Sequence, residues 1–180
     1  MYPFIRFALA VAAARRAPAL SFEDAHVSNH RCMPWDLDPW GELNNGRTLT
    51  LLDIGRFSLG VRTGMVAALQ REGWGLTVAG TSVRYRRRIK LFDLVRVQSR
   101  AVGRDARFLY IHQTIWLGET PACSALLRKA VTSADGIVPT DRLLAAVKAE
   151  DWDPELPAWV QAWCEAEDAR PWPPDDVRLG

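Results

Sequence analysis

The feature that most limits the fold of this chain is a helix-length run that is apolar on almost every side. Residues 48–61 read TLTLLDIGRFSLGV, and only Asp53 and Arg56 carry charge within them. A helix without a polar face is buried over most of its surface. Because a lone helix of this kind needs a sheet to cover it, the run predicts an α+β fold in which a sheet wraps around one long helix.

The sequence after Gly75 changes to patterns typical of strands. In the second of four candidates, Val95 and Val97 alternate with Arg96 and Gln98, which indicates a half-buried strand of period two. The candidates cover residues 76–85, 93–102, 108–117 and 122–132. We expect an antiparallel meander whose second and third strands are joined by a hairpin turn at residues 103–105. An extended segment at residues 21–33 precedes the apolar helix.

The N-terminal residues contain a second, shorter apolar run. Residues 7–14 read FALAVAAA, with Arg6 before them and Arg15 and Arg16 after them. Eight apolar residues are too few to span a membrane. Residues 17–19 resemble a signal-peptide cleavage site, but the arginine pair before them argues against export. We expect residues 1–20 to form an arm or amphipathic helix on the domain, with weak contact to a membrane surface as the alternative.

The C-terminal part of the chain predicts two further helices. One begins at Pro139 and runs to about Lys148, and the other follows Pro157 with Trp159 and Trp163 on one face. We expect the second helix to dock this aromatic stripe on the domain or on a partner subunit. The resulting division is an arm over residues 1–20, a domain over residues 21–150, and a helical extension with a Pro-rich tail over residues 151–180.

The charge and cysteine content exclude several classes of protein. The chain has 23 basic and 21 acidic residues and a net charge of +2, whereas dedicated nucleic-acid binders usually carry a strong basic excess. Its three cysteines are Cys32, Cys123 and Cys164, an odd number at wide spacing with no CxxC pair. We therefore expect no disulfide framework and no zinc site, and free thiols in the cytoplasm.

The most informative motif lies directly before the apolar helix. Residues 36–47 read DLDPWGELNNGR. An Asp-Pro pair starts turns and an Asn caps helices, so this segment could serve only to turn the chain and begin the helix. Its spacing also matches a family pattern, approximately D-x-D-x-x-G-H-x-N-N-x-x-Y.

By this motif, and by the order of its elements, residues 1–132 resemble hot-dog fold thioesterases, namely the 4-hydroxybenzoyl-CoA thioesterase-like and acyl-CoA thioesterase branch. The resemblance implies an antiparallel sheet around a central helix, to which this chain adds C-terminal helices. It also implies a homodimer or homotetramer with active sites at the subunit interface, and no cofactor. Two positions depart from the pattern, because Glu42 replaces the usual His and Thr48 replaces the Tyr.

The resemblance implies the roles of the catalytic residues. Asp38 occupies the position of the family carboxylate, which acts as a general base or nucleophile on the thioester. The backbone N–H seven positions later belongs to Asn45, which would donate to the oxyanion, with the N–H of Gly46 as the neighbouring alternative. General physics agrees, because a helix N-terminus offers unpaired N–H groups and a partial positive charge.

Other residues are candidates for binding or for alternative chemistry. Glu42 and Asn44 lie within the motif and are expected to contact substrate. Arg86 and Arg88 belong to an Arg-rich stretch that could bind the phosphates of coenzyme A or could simply be a solvated strand end. Asp53 lies two helical turns after Asn45, where another branch of the family carries its acid. We favour an ion pair with Arg56 for Asp53, since a charge in an apolar helix needs a partner.

The sequence contains weaker candidates for catalytic or metal-binding residues. His112 fits a packed strand residue better than a base, Cys32 lacks a visible partner for nucleophilic catalysis, and no residues show metal-ligand spacing. The function that we predict is hydrolysis of an acyl-CoA or related acyl thioester to free acid and thiol. The alternative is a hot-dog protein that binds acyl thioesters without hydrolysing them, and Glu42 in place of His motivates it. A hydratase would need a His within the motif.

Overall fold

A computed structural model describes residues 2–171 of the chain. The helices are α1 Phe4–Arg16, α2 Asn45–Arg62, α3 Met65–Glu72, α4 Thr140–Val147 and α5 Ala158–Ala169. The strands are β1 Ala25–Arg31, β2 Gly75–Tyr85, β3 Leu94–Arg104, β4 Leu109–Leu117, β5 Thr120–Ser133 and β6 Gly136–Val138. A short 3₁₀ turn, Pro34–Asp36, connects β1 to the motif loop. The Pro-rich tail predicted from residue 172 onward lies outside the described residues.

The strands form one antiparallel sheet that curls around α2. Its order is β1-β3-β4-β5-β2, and β6 pairs with the far end of β5. Because β1 and β2 lie at opposite edges, the two strands nearest to α2 in sequence are the farthest apart in the sheet. This arrangement of a sheet around one central helix confirms the predicted hot-dog fold and its α+β class.

The helix α2 is buried because apolar side chains cover most of its surface. Leu51, Leu52, Ile54 and Leu59 are almost fully enclosed by the sheet and the neighbouring helices. Gly55 allows the close approach, since a Cβ at that position would lie 2.9 Å from the Ser99 hydroxyl oxygen and from a Val97 methyl group of β3. The predicted buried helix is therefore present.

Helix α3 is a separate element that the sequence patterns did not predict. The chain breaks at Gly64, whose φ of +76° is a left-handed conformation that favours glycine. The eight residues after it form α3, which packs Met65 and Leu69 into the core. The glycine therefore allows the chain to change direction between α2 and α3.

The hairpin between β3 and β4 differs from the prediction by a few residues. Strand β3 continues through Gly103 and Arg104, so the predicted turn at residues 103–105 is wrong in position. The turn begins at Asp105, whose carboxylate oxygen Oδ1 accepts the N–H groups of Arg107 and Phe108, both at 2.7 Å. An Asp at this position builds the turn by satisfying backbone donors that the sheet leaves unpaired.

The terminal helices cover opposite sides of this core. Helix α1 packs against α2, and α5 lies on the outer face of the sheet, where Val160 and Trp163 contact Tyr110 and Leu126. No helix within residues 2–171 is both long enough and apolar enough to cross a membrane.

Candidate functional site

A cavity of about 220 Å³ opens where the motif loop, the first turn of α2 and the end of β2 meet. Five of the proposed site residues line it: Asp38, Glu42, Asn45, Arg86 and Arg88. Asn44 and Gly46 flank Asn45 but do not line the cavity, and Asp53 lies elsewhere on α2. The tertiary structure therefore brings two carboxylates, a helix N-terminus and three arginines to one place.

The loop before α2 is a tight turn that its own sequence favours. Leu37 pairs with Leu43 across it, the Asp38 N–H donates to the Glu42 carbonyl at 2.8 Å, and the Gly41 N–H donates to the Asp38 carbonyl at 3.1 Å. Asp, Pro and Gly stand at the first, second and fourth turn positions, where each is preferred. The turn thereby holds Asp38 beside the start of α2.

The carboxylate of Asp38 is held by backbone donors on one side only. Its Oδ1 accepts the N–H of Trp40 at 2.9 Å and the N–H of Glu42 at 3.2 Å. Within the described part of the chain, Oδ2 has no hydrogen-bond partner. The side chain is half-buried, so Oδ2 remains available to a water or a substrate.

The two proposed oxyanion donors differ in their surroundings. Asn44 caps α2, and its side-chain oxygen accepts the N–H of Gly46 at 2.8 Å and that of Arg47 at 3.3 Å. The Gly46 N–H is therefore already engaged. The Asn45 N–H has no acceptor among residues 2–171, and it lies at the helix end that favours negative charge. Of the two donors, Asn45 is the one free to bind an oxyanion.

Glu42, which stands where the family pattern has His, forms an ion pair in this structure. Its Oε1 lies 3.1 Å from an Nη of Arg88, and its backbone pairs with Lys90. The second carboxylate of the cavity thus has a cationic partner. The sequence did not reveal this pair, because the two residues are distant in the chain and only the fold brings them together.

The segment that carries Arg86, Arg87 and Arg88 is anchored at its start. The N–H groups of Arg86 and Arg87 both donate to the Ala122 carbonyl, at 2.9 and 3.1 Å. The side chain of Arg88 is 77% exposed despite its ion pair. The three arginines therefore border the cavity from an anchored backbone, and their side chains are exposed to solvent.

Two further residues of the cavity wall were not identified from the sequence. Tyr85 of β2 and Cys123 of β5 are paired in register and both line the cavity. Burial raises the pKa of Cys123 to about 11, so the thiol remains protonated at neutral pH and is a poor nucleophile. Burial also raises the pKa of Tyr85. The available signals were the position of Tyr85 directly before the Arg-rich stretch and that of Cys123 in a predicted strand.

The other aspartates of the region have structural partners. The Asp53 carboxylate lies 2.6 Å from an Nη of Arg56 and accepts the Tyr2 hydroxyl at 2.9 Å. Asp36, the first Asp of the motif, is buried and pairs with Arg6 at 2.8 Å. These contacts connect Asp53 of α2 to the residues before α1, and Asp36 to α1 itself.

The remaining candidates of the sequence analysis lie outside this cavity. The His112 ring bonds to the Ser124 hydroxyl at 2.9 Å and packs against Trp159 beneath α5, and burial lowers its pKa. All three cysteines are free thiols, with Cys32 buried in the core. Within residues 2–171, no three His, Cys, Asp or Glu side chains are grouped so that they could hold a metal ion.

Both the sequence and the fold of this chain are similar to those of known proteins. "Protein THEM6" of Xenopus laevis is 29% identical over 167 residues, which cover 92% of this chain and 80% of that protein. YbaW of Escherichia coli, described as a probable thioesterase, superimposes with a TM-score of 0.64 at 17% identity, over 69% of this chain and 97% of that one.

A further structural neighbour is a DHNA-CoA thioesterase of Staphylococcus aureus. Its TM-score is 0.60 at 15% identity, and the match covers 80% of this chain and 91% of that one. At such identities the structural likeness establishes the fold alone. The sequence profile of the thioesterase-like superfamily matches residues 32–164, which include the motif loop, α2 and the whole sheet after it. The chain therefore belongs to the thioesterase-like superfamily.

Proposed function

We propose that this protein hydrolyses an acyl-CoA to a free acid and coenzyme A at the cavity that Asp38 and Asn45 line. The observation that carries the proposal is that a half-buried carboxylate and a helix N-terminus with an unpaired N–H share one cavity. Membership of the thioesterase-like superfamily supports the reaction class.

The two groups are suited to the two demands of thioester hydrolysis. Asp38 would take a proton from water as the water oxygen attacks the carbonyl carbon, or would attack that carbon itself. The Asn45 N–H would then donate to the carbonyl oxygen as it gains negative charge. On the general-base route, the C–S bond breaks as the tetrahedral intermediate collapses, the proton held by Asp38 passes to the departing thiolate, and the acyl group leaves as a carboxylic acid. On the nucleophilic route, the thiolate leaves from a mixed anhydride between the acyl group and Asp38, and a water then hydrolyses this anhydride to the free acid and passes its proton to the thiolate.

Coenzyme A is the thiol that the surroundings of the cavity favour. Arg86, Arg87 and Arg88 form a positive rim, and guanidinium groups bind phosphate oxygens bidentately. A CoA thioester is also the substrate named for the Staphylococcus aureus neighbour, which shares the fold. We further propose a cytoplasmic protein, consistent with three free thiols, that assembles as a homodimer or homotetramer.

The test is release of free thiol from a panel of acyl-CoAs by the wild type and by Asp38→Asn. The amide oxygen can still accept the Trp40 and Glu42 N–H groups, so the loop should keep its shape. We expect kcat to fall by about 10²- to 10⁴-fold, as for loss of a general base. Asp135→Asn, in the exposed turn between β5 and β6, is the matched control and should retain wild-type activity.

Equal turnover by wild type and Asp38→Asn would contradict the proposed role of Asp38. The second candidate function is binding of acyl thioesters without hydrolysis, because Glu42 stands in the position of the family His. Saturable acyl-CoA binding without turnover in the wild type, together with activity gained by Glu42→His, would favour that candidate. Robust wild-type turnover would exclude it.

A further inference from the structure

A second and larger cavity lies between α1 and the edge strand β1. Its volume is about 1020 Å³, at the upper end of the range of ligand pockets. It shares no lining residue with the cavity of Asp38 and Asn45. Whatever binds in it therefore makes contacts separate from those of the proposed hydrolysis.

The walls of this cavity are apolar. The exposed side chains of Phe4, Ile5 and Leu9 stand at its opening. Residues of α1, β1 and the segment after β1 provide the remaining apolar surface: Ala10, Ala13, Ala14, Val27, Met33 and Trp35. A cavity of this volume and composition suits an alkyl chain, because each buried methylene favours binding through the hydrophobic effect.

Buried polar groups without partners interrupt the apolar wall. His26 is 7% exposed and Ser58 is 1% exposed, and both line the cavity. The Arg62 guanidinium donates to His26 Nδ1 at 3.2 Å, and because arginine cannot accept, the proton of the neutral ring is on Nε2. Neither His26 Nε2 nor the Ser58 hydroxyl has a hydrogen-bond partner within residues 2–171.

The protonation state of His26 is consistent with this assignment. Burial, and next the charge of Arg62, lower its pKa to about 4, so the ring is neutral at pH 7. The Nε2–H and the Ser58 hydroxyl are therefore two donors in need of acceptors. Unmet polar groups in a buried site are costly, and a ligand that supplies oxygens would satisfy them.

The charged residues around the cavity favour a negatively charged ligand. Three arginines line it: Arg6, Arg31 and Arg62. Among the described residues, no Asp or Glu lines it, although Asp36 pairs with Arg6 just outside. A positively charged lining with two unmet donors suits an anionic oxygen head group better than an ammonium or an amide.

We propose that this cavity binds one long-chain fatty carboxylate, with its head at His26 and Ser58 and its alkyl chain along α1. The apolar walls correspond to the alkyl chain, and the two unpartnered donors together with the arginines of the lining correspond to the carboxylate head. The proposal does not depend on hydrolysis at the other cavity, and it holds even if that activity is absent.

The test is titration calorimetry of the full chain with decanoate and dodecanoate below their micelle concentrations. We expect one site, with affinity rising about fourfold per added methylene. Ser58→Ala and His26→Phe should each weaken binding about tenfold or more by removing a donor to a charged group. Ser58→Ala makes the smaller change and keeps the test valid if His26→Phe does not fold.

A matched pair of substitutions on α1 examines the path of the alkyl chain. Ala10→Trp would fill the cavity and should abolish binding, whereas Ala8→Trp, on an exposed position of α1 outside the cavity, should leave it unchanged. Asp38→Asn should also leave the affinity unchanged, which separates this site from the proposed active site.

Wild-type affinity in both Ala10→Trp and Ser58→Ala would overturn the proposal. So would binding to phosphatidylcholine vesicles that Ala10→Trp does not affect, combined with no binding of free dodecanoate. That second result would instead assign the exposed Phe4, Ile5 and Leu9 side chains to a membrane surface.

Discussion

At the scale of single residues, two buried histidines on β1 connect protonation to stability. Burial is the largest cause that lowers the pKa of His26 and of His30 to about 4, and neighbouring cations, Arg62 and Arg6 respectively, lower it further. Their usual value is 6.5. Between about pH 6.5 and pH 4 the unfolded chain therefore binds protons that the folded chain does not.

We expect the free energy of unfolding to fall as the pH drops through this window. At neutral pH both rings are neutral in both states, so the loss begins near pH 6.5, at a slope of up to about 1.4 kcal/mol per pH unit for each histidine. Urea unfolding at pH 7, 6 and 5 measures it. The double variant His26→Gln/His30→Gln should show a flatter dependence, and an unchanged slope would be the contrary result.

At the scale of elements, a buried ion pair holds α1 on the domain. Asp36, only 1% exposed, accepts from an Arg6 guanidinium at 2.8 Å and from the Met33 N–H at 3.0 Å. Arg6 also donates to the Arg31 carbonyl at the end of β1. One arginine thus joins the helix, the edge strand and the start of the motif loop.

Arg6→Met should lower the free energy of unfolding by about 1–3 kcal/mol, because it removes the main partner of a buried carboxylate. Arg47, 3.9 Å from the same carboxylate, would compensate in part. Denaturant unfolding measures the change. Arg16→Met, at the exposed end of α1, is the control and should alter stability by less than about 0.5 kcal/mol. Equal effects of the two substitutions would argue against this role of the pair.

At the scale of the whole molecule, the free edge of β2 is the surface best suited to a second copy. The strand has 11 residues, pairs with β5 on one side only, and is mostly exposed. Unpaired strand edges are templates for pairing with another chain. Because Tyr85 at the end of β2 lines the proposed active-site cavity, a partner on this edge would lie close to that cavity.

We predict that Val78→Lys shifts the proposed homodimer or homotetramer toward monomer, since a lysine on an edge strand opposes edge-to-edge pairing. Val78 and Ile137 are each 41% exposed, and Ile137 lies on β6, away from this edge. Ile137→Lys is therefore the matched control. Analytical ultracentrifugation of the three proteins measures the outcome, and an unchanged mass for Val78→Lys would place the contact elsewhere.

Elements whose signals are local could be predicted from the order of the residues alone. An apolar run of helical length and alternating strand residues predict buried and half-buried elements directly, and the Asp-Pro and Asn-Asn pairs of the motif predict a turn followed by a capped helix. Asp38 and Asn45 were selected by the resemblance of this short motif to the thioesterase pattern, and their catalytic roles stay predictions. The positions of α3 and of the β3–β4 turn were harder to predict, because a single glycine or aspartate sets each of them.

The contacts between groups that are distant in the chain become visible only in the folded molecule. The pairing of Glu42 with Arg88, the engagement of the Gly46 N–H by Asn44, and the placement of Tyr85 and Cys123 in the cavity wall follow from sheet register and cap geometry. The cavity between α1 and β1 depends on how the helix docks against the strand. The two elements are separated in the sequence by a connecting segment that contains Leu20. No short-range pattern encodes such contacts, because their energies arise from burial and charge pairing between segments that meet only in the folded chain.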